Sequence, residues 1–181
     1  VMDTEGNIFL FEEGETLGLY ECFNFQPQLL VEYELEVEYN NEIYIGTEIL
    51  YPTPEFDYTE QRLTAFEDLI EVRAYFTDPE DEENFYLLEE NSSATIVPGY
   101  HTFNDNFFNG EQNYASHFDD VLAVGDFVTF QLFGVSGQHH NYLFKLITST
   151  QGGPFQTVPG VLKGNMVNMT NPQNYPMGYF S

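Results

Sequence analysis

The sequence predicts an all-β protein, in which an N-terminal Ig-like β-sandwich precedes a second β-rich, sandwich-like domain with long loops. The stretch Val31–Tyr39 alternates apolar residues with glutamates without a break. A period of two places the apolar side chains on one face of a strand and the carboxylates on the other. The chain also has 18 Phe and 13 Tyr but no Trp, and aromatic residues favour strands. Short alternating segments separated by turn residues complete the pattern of a sandwich.

The predicted first domain spans residues 1–51. Short strands are expected at Ile8–Phe11 and Leu19–Phe25, ahead of Val31–Tyr39. Asn40-Asn41 predicts a two-residue hairpin turn, since Asn tolerates positive φ, and Glu42–Leu50 then returns as the partner strand. Because the chain opens at Val1 inside an apparent strand, we expect this domain to be incomplete at its N-terminus, with any targeting segment or lipid anchor lying in the missing part.

A proline-containing linker, residues 52–57, is predicted to separate this domain from a second one, residues 58–181. Pro52 and Pro54 cannot join a central strand. Beyond the linker, Leu69–Phe76 and Phe85–Glu89 alternate well and are expected to form a hairpin across an acidic loop.

The other segments of the second domain are less regular. Strands are expected at Phe127–Phe133 and at the terminal Met177–Phe180. Residues 58–66 fit a strand or a short helical turn, and Gln138–Leu146 fits a short helix or a strand. Residues 102–110 predict an irregular segment that aromatic side chains hold in place.

The charge balance is extreme, with 4 Lys and Arg against 30 Asp and Glu and a net charge of −26. Such a surface lacks the basic footprint that nucleic acids require, and it disfavours adsorption to anionic lipid. Solubility or life in a salty medium is the preferred explanation of this charge, and calcium sites or a basic partner surface are the alternatives. Cys22 is the single cysteine, so no disulfide framework exists, and we expect a buried thiol.

Short motifs follow one another in a recognisable order along the chain. The front half carries Gly18-Leu19-Tyr20 and a Tyr-x-Leu strand at Tyr33–Leu35. The back half carries a longer series: Phe76-Thr77-Asp78-Pro79, Asn84-Phe85-Tyr86, Asn104-Asp105-Asn106-Phe107-Phe108-Asn109-Gly110, Val124-Gly125-Asp126, Pro154-Phe155 and Gly178-Tyr179-Phe180-Ser181. This order of motifs resembles the Bacteroidota domain-of-unknown-function family 4249. The resemblance implies a structural role for Asp78, Pro79, Asn84, Tyr86, Asp105, Gly110, Gly178, Tyr179 and Phe180.

This resemblance implies an envelope lipoprotein encoded beside a TonB-dependent outer-membrane receptor, with an Ig-like part followed by a second β-rich part. It implies no enzymatic activity. We therefore expect a non-catalytic accessory or binding lipoprotein of an outer-membrane transport complex, associated with the outer membrane at the cell surface. Its expected partner is the β-barrel receptor or a lipoprotein associated with that receptor.

Two alternatives remain open. With 30 acids, carboxylate pairs for a polymer-acting hydrolase arise by chance, and Asp78, Asp105 and Asp119 are the residues to test. A calcium-stabilised adhesive module would use Asp78, Asp81 and Asp105, although the loop lacks the spacing of a known calcium motif and solvated turns explain it as well. We expect no other cofactor, and no set of residues predicts catalysis.

Aromatic residues outside the regular strands are the preferred candidates for binding: Phe103, Phe107, Phe108 and Tyr114, with Phe118 nearby. Loops carry function more often than core strands do, and aromatic residues beside Asn and Gln suit a protein or glycan surface. Packing against the side of the sandwich is the alternative. His139-His140 is weak evidence for zinc, and the sequence does not show whether His101 and His117 join that pair in space.

Overall fold

The computed structural model of the chain describes residues 1–64, 69–80, 82–150 and 162–181, and these residues form mostly β-structure. The strands in chain order are β1 (Met2–Asp3), β2 (Glu12–Glu13), β3 (Tyr20–Glu21), β4 (Glu32–Tyr39), β5 (Glu42–Ile49), β6 (Phe56–Leu63), β7 (Ile70–Thr77), β8 (Phe85–Ser92), β9 (Gly99–Asn104), β10 (Gln112–Phe118), β11 (Val128–Val135) and, after helix α1 (Gly137–Thr150), β12 (Val167–Asn168). The predicted all-β class is confirmed.

The chain divides into two compact units. The first combines Val1–Pro52 with Gly152–Ser181, and the second is Thr53–Gln151. The second unit begins at Thr53, between Pro52 and Pro54. The sequence prediction differs at the C-terminus, because it placed residues up to 181 in the second domain. Asn168 in β12 pairs with Tyr44 in β5, so the last segment completes a sheet that begins near the N-terminus.

The first unit is built on a four-stranded sheet in the order β1-β4-β5-β12. The predicted strands Val31–Tyr39 and Glu42–Leu50 form β4 and β5, and Asn40 and Asn41 join them with φ values of 51° and 62°. The alternation in β4 is buried only near its start: Tyr33 is in the core, whereas Tyr39 is exposed.

Other predictions for the first unit need correction. The strand expected at Leu19–Phe25 is regular only over Tyr20–Glu21, because the following segment turns and places Phe25 edge-on against Tyr33, with ring centroids 5.3 Å apart. Met177–Phe180 forms no strand. Side-chain contacts hold it instead, since the Phe180 amide donates to Asn165 Oδ1 over 2.8 Å.

The second unit is a sandwich of two three-stranded antiparallel sheets, β10-β7-β6 and β11-β8-β9. Phe76 in β7 is fully buried and contacts the rings of Tyr86 in β8 and Phe103 in β9. On the side formed by β6 and β11, Phe56 contacts Phe130 across the layers. The sheets therefore face each other with β7 opposite β8 and β10 on the same side as β9.

The predicted hairpin between Leu69–Phe76 and Phe85–Glu89 is wrong, because β7 and β8 belong to different sheets. Instead of forming a solvated hairpin loop, the chain crosses between the sheets where buried Asp78 and Asp105 accept hydrogen bonds from protein groups. Residues 56–63 adopt the strand alternative.

Helix α1 settles the other open alternative, since Gln138–Leu146 lies within it. Ser136 caps its start by accepting from the His139 amide at Oγ over 3.0 Å. The helix packs on the outer face of β8 and β9, where His140 contacts Phe85, with ring centroids 5.3 Å apart. No helix in the described part of the chain is long and apolar enough to cross a membrane.

Candidate functional site

Two of the aspartates singled out by sequence, Asp78 and Asp105, occupy buried positions where the chain passes between the sheets of the second unit. Asp78 follows β7 and is 3 % exposed; Asp105 follows β9 and is 1 % exposed. Asp78 accepts from the Tyr86 hydroxyl over 2.5 Å and from the Gly110 amide over 3.1 Å. Asp105 accepts from the Asn84 amide over 2.8 Å. Five residues of the family motif therefore share this region of the unit.

The pKa of Tyr86 is consistent with carboxylates that accept hydrogen bonds from groups within the protein. Burial, the hydrogen bond to Asp78 and the charges of Asp78 and Asp105 all raise the pKa of Tyr86, so the phenol stays a donor. Gly110 has a φ of 74°, which favours glycine, and its amide points at Asp78. Carboxylates occupied in this way and hidden from solvent are not accessible to a polymer substrate.

The remaining residues predicted for calcium or for the motif are dispersed. Asp81 lies outside the described residues. Pro79 is exposed beside Asp78, and Asp119 accepts from the Val121 amide in an exposed turn. Across the described ranges, no three His, Cys, Asp or Glu side chains come close enough to hold a metal ion.

The motif residues near the C-terminus lie in the first unit and make structural contacts there. The Tyr179 hydroxyl donates to Glu48 over 2.6 Å, and a side chain at Gly164 would overlap the carbonyl of Gly178.

The four predicted binding aromatics line a single cavity of about 420 Å³ in the second unit. Phe103 belongs to β9 and Tyr114 to β10, so the expectation that they lie in irregular segments is wrong. The two strands are short and are flanked by Asn and Gly residues, which are typical of turns. Phe107 and Phe108 do lie in the turn between those strands. Phe107 is 96 % exposed, whereas Phe108 packs against Phe76 and Phe103.

Helix α1 contributes two residues to this cavity that the sequence did not single out for binding, His140 and Phe144. The Thr102 hydroxyl donates to the Tyr86 carbonyl over 2.9 Å and lies 2.7 Å from His140 Nδ1. Because that hydroxyl has one proton, the His140 Nδ1 carries a proton and donates to it. Burial lowers the pKa of His140, which favours a neutral ring in an aromatic cavity.

A second cavity of about 530 Å³ adjoins the first through Phe103 and Tyr114. Its walls come from β8, β9, β10 and the residues after β10. The polar wall contains a carboxylate between two imidazoles: Glu90 Oε1 lies 3.3 Å from His101 Nε2, and Glu90 Oε2 lies 3.5 Å from His117 Nδ1. The structure thus brings His101 and His117 together, but not with His139.

Sequence reasoning missed Glu90 as a site residue. A signal exists in the alternation of β8, where Tyr86, Leu88 and Glu90 share the inward face. A carboxylate at a core-facing position that follows two apolar residues on the same face indicates either a buried partner or a site.

Both cavities open between β9 and β10, which are edge strands of their respective sheets. Along the described chain, no strand pairs with the outer edge of either one. Unpaired backbone donors and acceptors at a sheet edge can pair with an added strand. The arrangement therefore suits a segment of extended polypeptide, with apolar side chains in one cavity and a polar side chain in the other.

Comparison with known proteins identifies the family and nothing more specific. No curated protein and no solved structure matches the chain. A family model described as "Domain of unknown function (DUF4249)" matches residues 1–181. The chain therefore belongs to the domain-of-unknown-function family 4249.

Proposed function

We propose that the second unit is a non-catalytic binding module that receives an extended segment of an outer-membrane partner between β9 and β10. One observation carries the proposal. Four aromatic residues converge on one cavity beside the outer edges of β9 and β10, with which no described strand pairs: Phe103, Phe107, Phe108 and Tyr114. Largely apolar cavities with a few polar groups are the usual form of a binding site.

The chemistry of the face supports a protein segment as occupant. Backbone pairing along a strand edge supplies affinity, and pockets for alternate side chains supply selectivity. Phe107 is almost fully exposed, and exposed aromatic side chains are common anchors in interfaces. The net charge of −26 favours a partner segment that carries basic residues.

The resemblance described in the sequence analysis supports the identity of the partner. We propose a β-barrel receptor of the TonB-dependent class, or a lipoprotein associated with it, and a location at the cell surface through an N-terminal lipid anchor. The protein would act there as an accessory component of transport. The receptor partner, the cell-surface location and the role in transport all extend the binding function. A partner outside the outer membrane would contradict all three.

Affinity purification from native outer membranes in mild detergent tests the proposal. The wild-type protein is compared with Phe107→Asp and with Val124→Asp, a matched control in the same unit at a residue that is 99 % exposed. We expect wild type and the Val124 variant to recover one β-barrel protein in similar amounts, and the Phe107 variant to lose it. Equal recovery with Phe107→Asp, or repeated recovery of the protein alone, would overturn the proposal.

A further inference from the structure

The cavity around Glu90 contains a buried imidazole nitrogen that no residue in the described part of the chain contacts by a hydrogen bond. The His117 side chain is 10 % exposed, and its Nδ1 faces Glu90 Oε2. The other nitrogen, Nε2, is buried and has no hydrogen-bond partner among the described residues, and the same holds for Glu90 Oε2. A buried polar atom that is left unpaired destabilises the folded state. The carboxylate oxygen 3.5 Å from Nδ1 favours a proton on that nitrogen, and a neutral ring then presents Nε2 as a bare acceptor.

The surroundings select a cationic donor for this acceptor. Glu90 and Asp119 supply two carboxylates to the cavity wall, and the net charge of the chain repels anions. Burial raises the pKa of Glu90, but the hydrogen bond from His101 and the nearby charge of both imidazoles outweigh it and hold the pKa below its usual value. The carboxylate therefore stays charged.

The free acceptors fit an ammonium group better than a guanidinium group. Glu90 Oε1 already faces His101, so the carboxylate offers no open pair of oxygens for a bidentate fork. An ammonium group has three tetrahedral donors and needs separate acceptors in different directions. Leu88 and Phe103 provide an apolar wall for the stem that carries it.

We propose that the cavity lined by Glu90, His117 and Asp119 binds an alkylammonium group, and that this group is a lysine side chain of the docked segment. The inference deepens the proposed function and rests on it for the source of the amine. The binding chemistry itself belongs to the cavity and does not depend on the identity of the partner.

Binding is expected to weaken in acid. The titratable groups that face the site are Glu90 on β8, His101 on β9, His117 on β10 and Asp119 after β10, while β7 places Val72 opposite His117. The hydrogen bond to Glu90 raises the pKa of His101, and protonation of His101 adds positive charge beside the carboxylates. This charge repels a cation, so affinity falls as the pH drops and His101 becomes protonated.

The test follows the imidazole signals of ¹⁵N-histidine-labelled protein by NMR. Butylammonium is the probe, and 1-butanol is the matched neutral control. We expect butylammonium to shift Nε2 of His117 at pH 7.5 and 1-butanol to leave it unchanged. Glu90→Gln should weaken binding roughly tenfold to a hundredfold, as a lost charged hydrogen bond does. Glu83→Gln, at an exposed acid of the same unit, should not.

The wild-type comparison keeps the inference falsifiable if the Glu90 variant fails to fold. Equal shifts with butylammonium and 1-butanol, or no shift at millimolar probe, would overturn the amine site. Partner recovery by Glu90→Gln and Glu83→Gln tests the source: a loss confined to the Glu90 variant supports a lysine of the partner. Unchanged recovery, with butylammonium bound, would refute that source and leave the proposed docking function standing.

Discussion

The Tyr86 hydroxyl donates a 2.5 Å hydrogen bond to Asp78 Oδ1, and both residues are almost completely buried. Tyr86 belongs to one sheet of the sandwich and Asp78 follows a strand of the other. The bond therefore joins the two layers beside the ring of Phe76. It also explains why an acidic residue occurs at a core position.

Replacing Tyr86 with Phe is expected to lower the free energy of unfolding by about 1–3 kcal/mol. The change removes the donor and leaves part of a buried carboxylate unsatisfied, while the ring still fills its place. Urea unfolding measures the loss. Tyr100→Phe is the matched control, since Tyr100 is 45 % exposed and should change stability by less than about 0.5 kcal/mol. Equal effects would contradict this account of Asp78.

Asp105 is expected to respond to substitution in a graded way. Asp105→Asn retains an oxygen that can accept from the Asn84 amide, whereas Asp105→Ala removes it. We expect the Ala variant to lose about 1–3 kcal/mol and the Asn variant to lose less. Calcium-dependent melting measured on wild type and both variants gives a second readout. A rise in the wild-type melting temperature that both variants abolish would support the calcium alternative instead.

The acid stability of the first unit should depend on Glu42. Hydrogen bonds from Tyr44 and from Asn174 and Asn171 lower the pKa of Glu42 to about 2. Because this lies below the usual value of 4.5, the contribution is complete above about pH 4.5 and is lost as the pH falls toward 2. The stability difference between wild type and Glu42→Gln should therefore shrink across that window.

Chemical unfolding at a series of pH values measures this difference. Glu38→Gln serves as the control, because Glu38 is an exposed acid on the neighbouring strand. Its difference from wild type should remain small throughout. A Glu42→Gln difference that stays constant down to about pH 2.5 would contradict the hydrogen-bonded carboxylate.

The turn between β4 and β5 predicts opposite effects for two substitutions at Asn41. Its φ of 62° lies in the left-handed region, which Gly adopts without a steric penalty and in which a β-branched residue is strained. Asn41→Gly should preserve or raise the free energy of unfolding, and Asn41→Val should lower it by about 1–2 kcal/mol. Thermal unfolding of both variants decides; equal midpoints would show that the turn does not constrain the hairpin.

Local patterns predicted the parts of this fold that depend on neighbouring residues. Alternation located β4, β5 and β7, and Asn40-Asn41 located a turn. The pairing of β12 with β5 joins residues more than 120 positions apart, and no local pattern specifies it. The crossing at Asp78 depends on burial against Tyr86, which likewise becomes visible only in three dimensions.

The candidate site likewise contains residues that the sequence singled out and residues that only the structure brings together. Composition singled out Phe103, Phe107, Phe108 and Tyr114, and the structure places all four around one cavity. The set of Glu90, His101 and His117 draws one residue from each of three strands. The spacing of these residues in the sequence does not predict that they meet, because they come together only when the two sheets pack against each other.

Site-specific photo-crosslinking in cells that produce the protein natively tests the binding face most directly. A photoreactive phenylalanine analogue replaces Phe107 at the cavity, and the same analogue replaces Val124 as an equally exposed control. We predict a covalent adduct from position 107 to an extended segment of an outer-membrane β-barrel or its associated lipoprotein, and none from position 124. Identical adducts from both positions, or no adduct from position 107, would contradict the proposal.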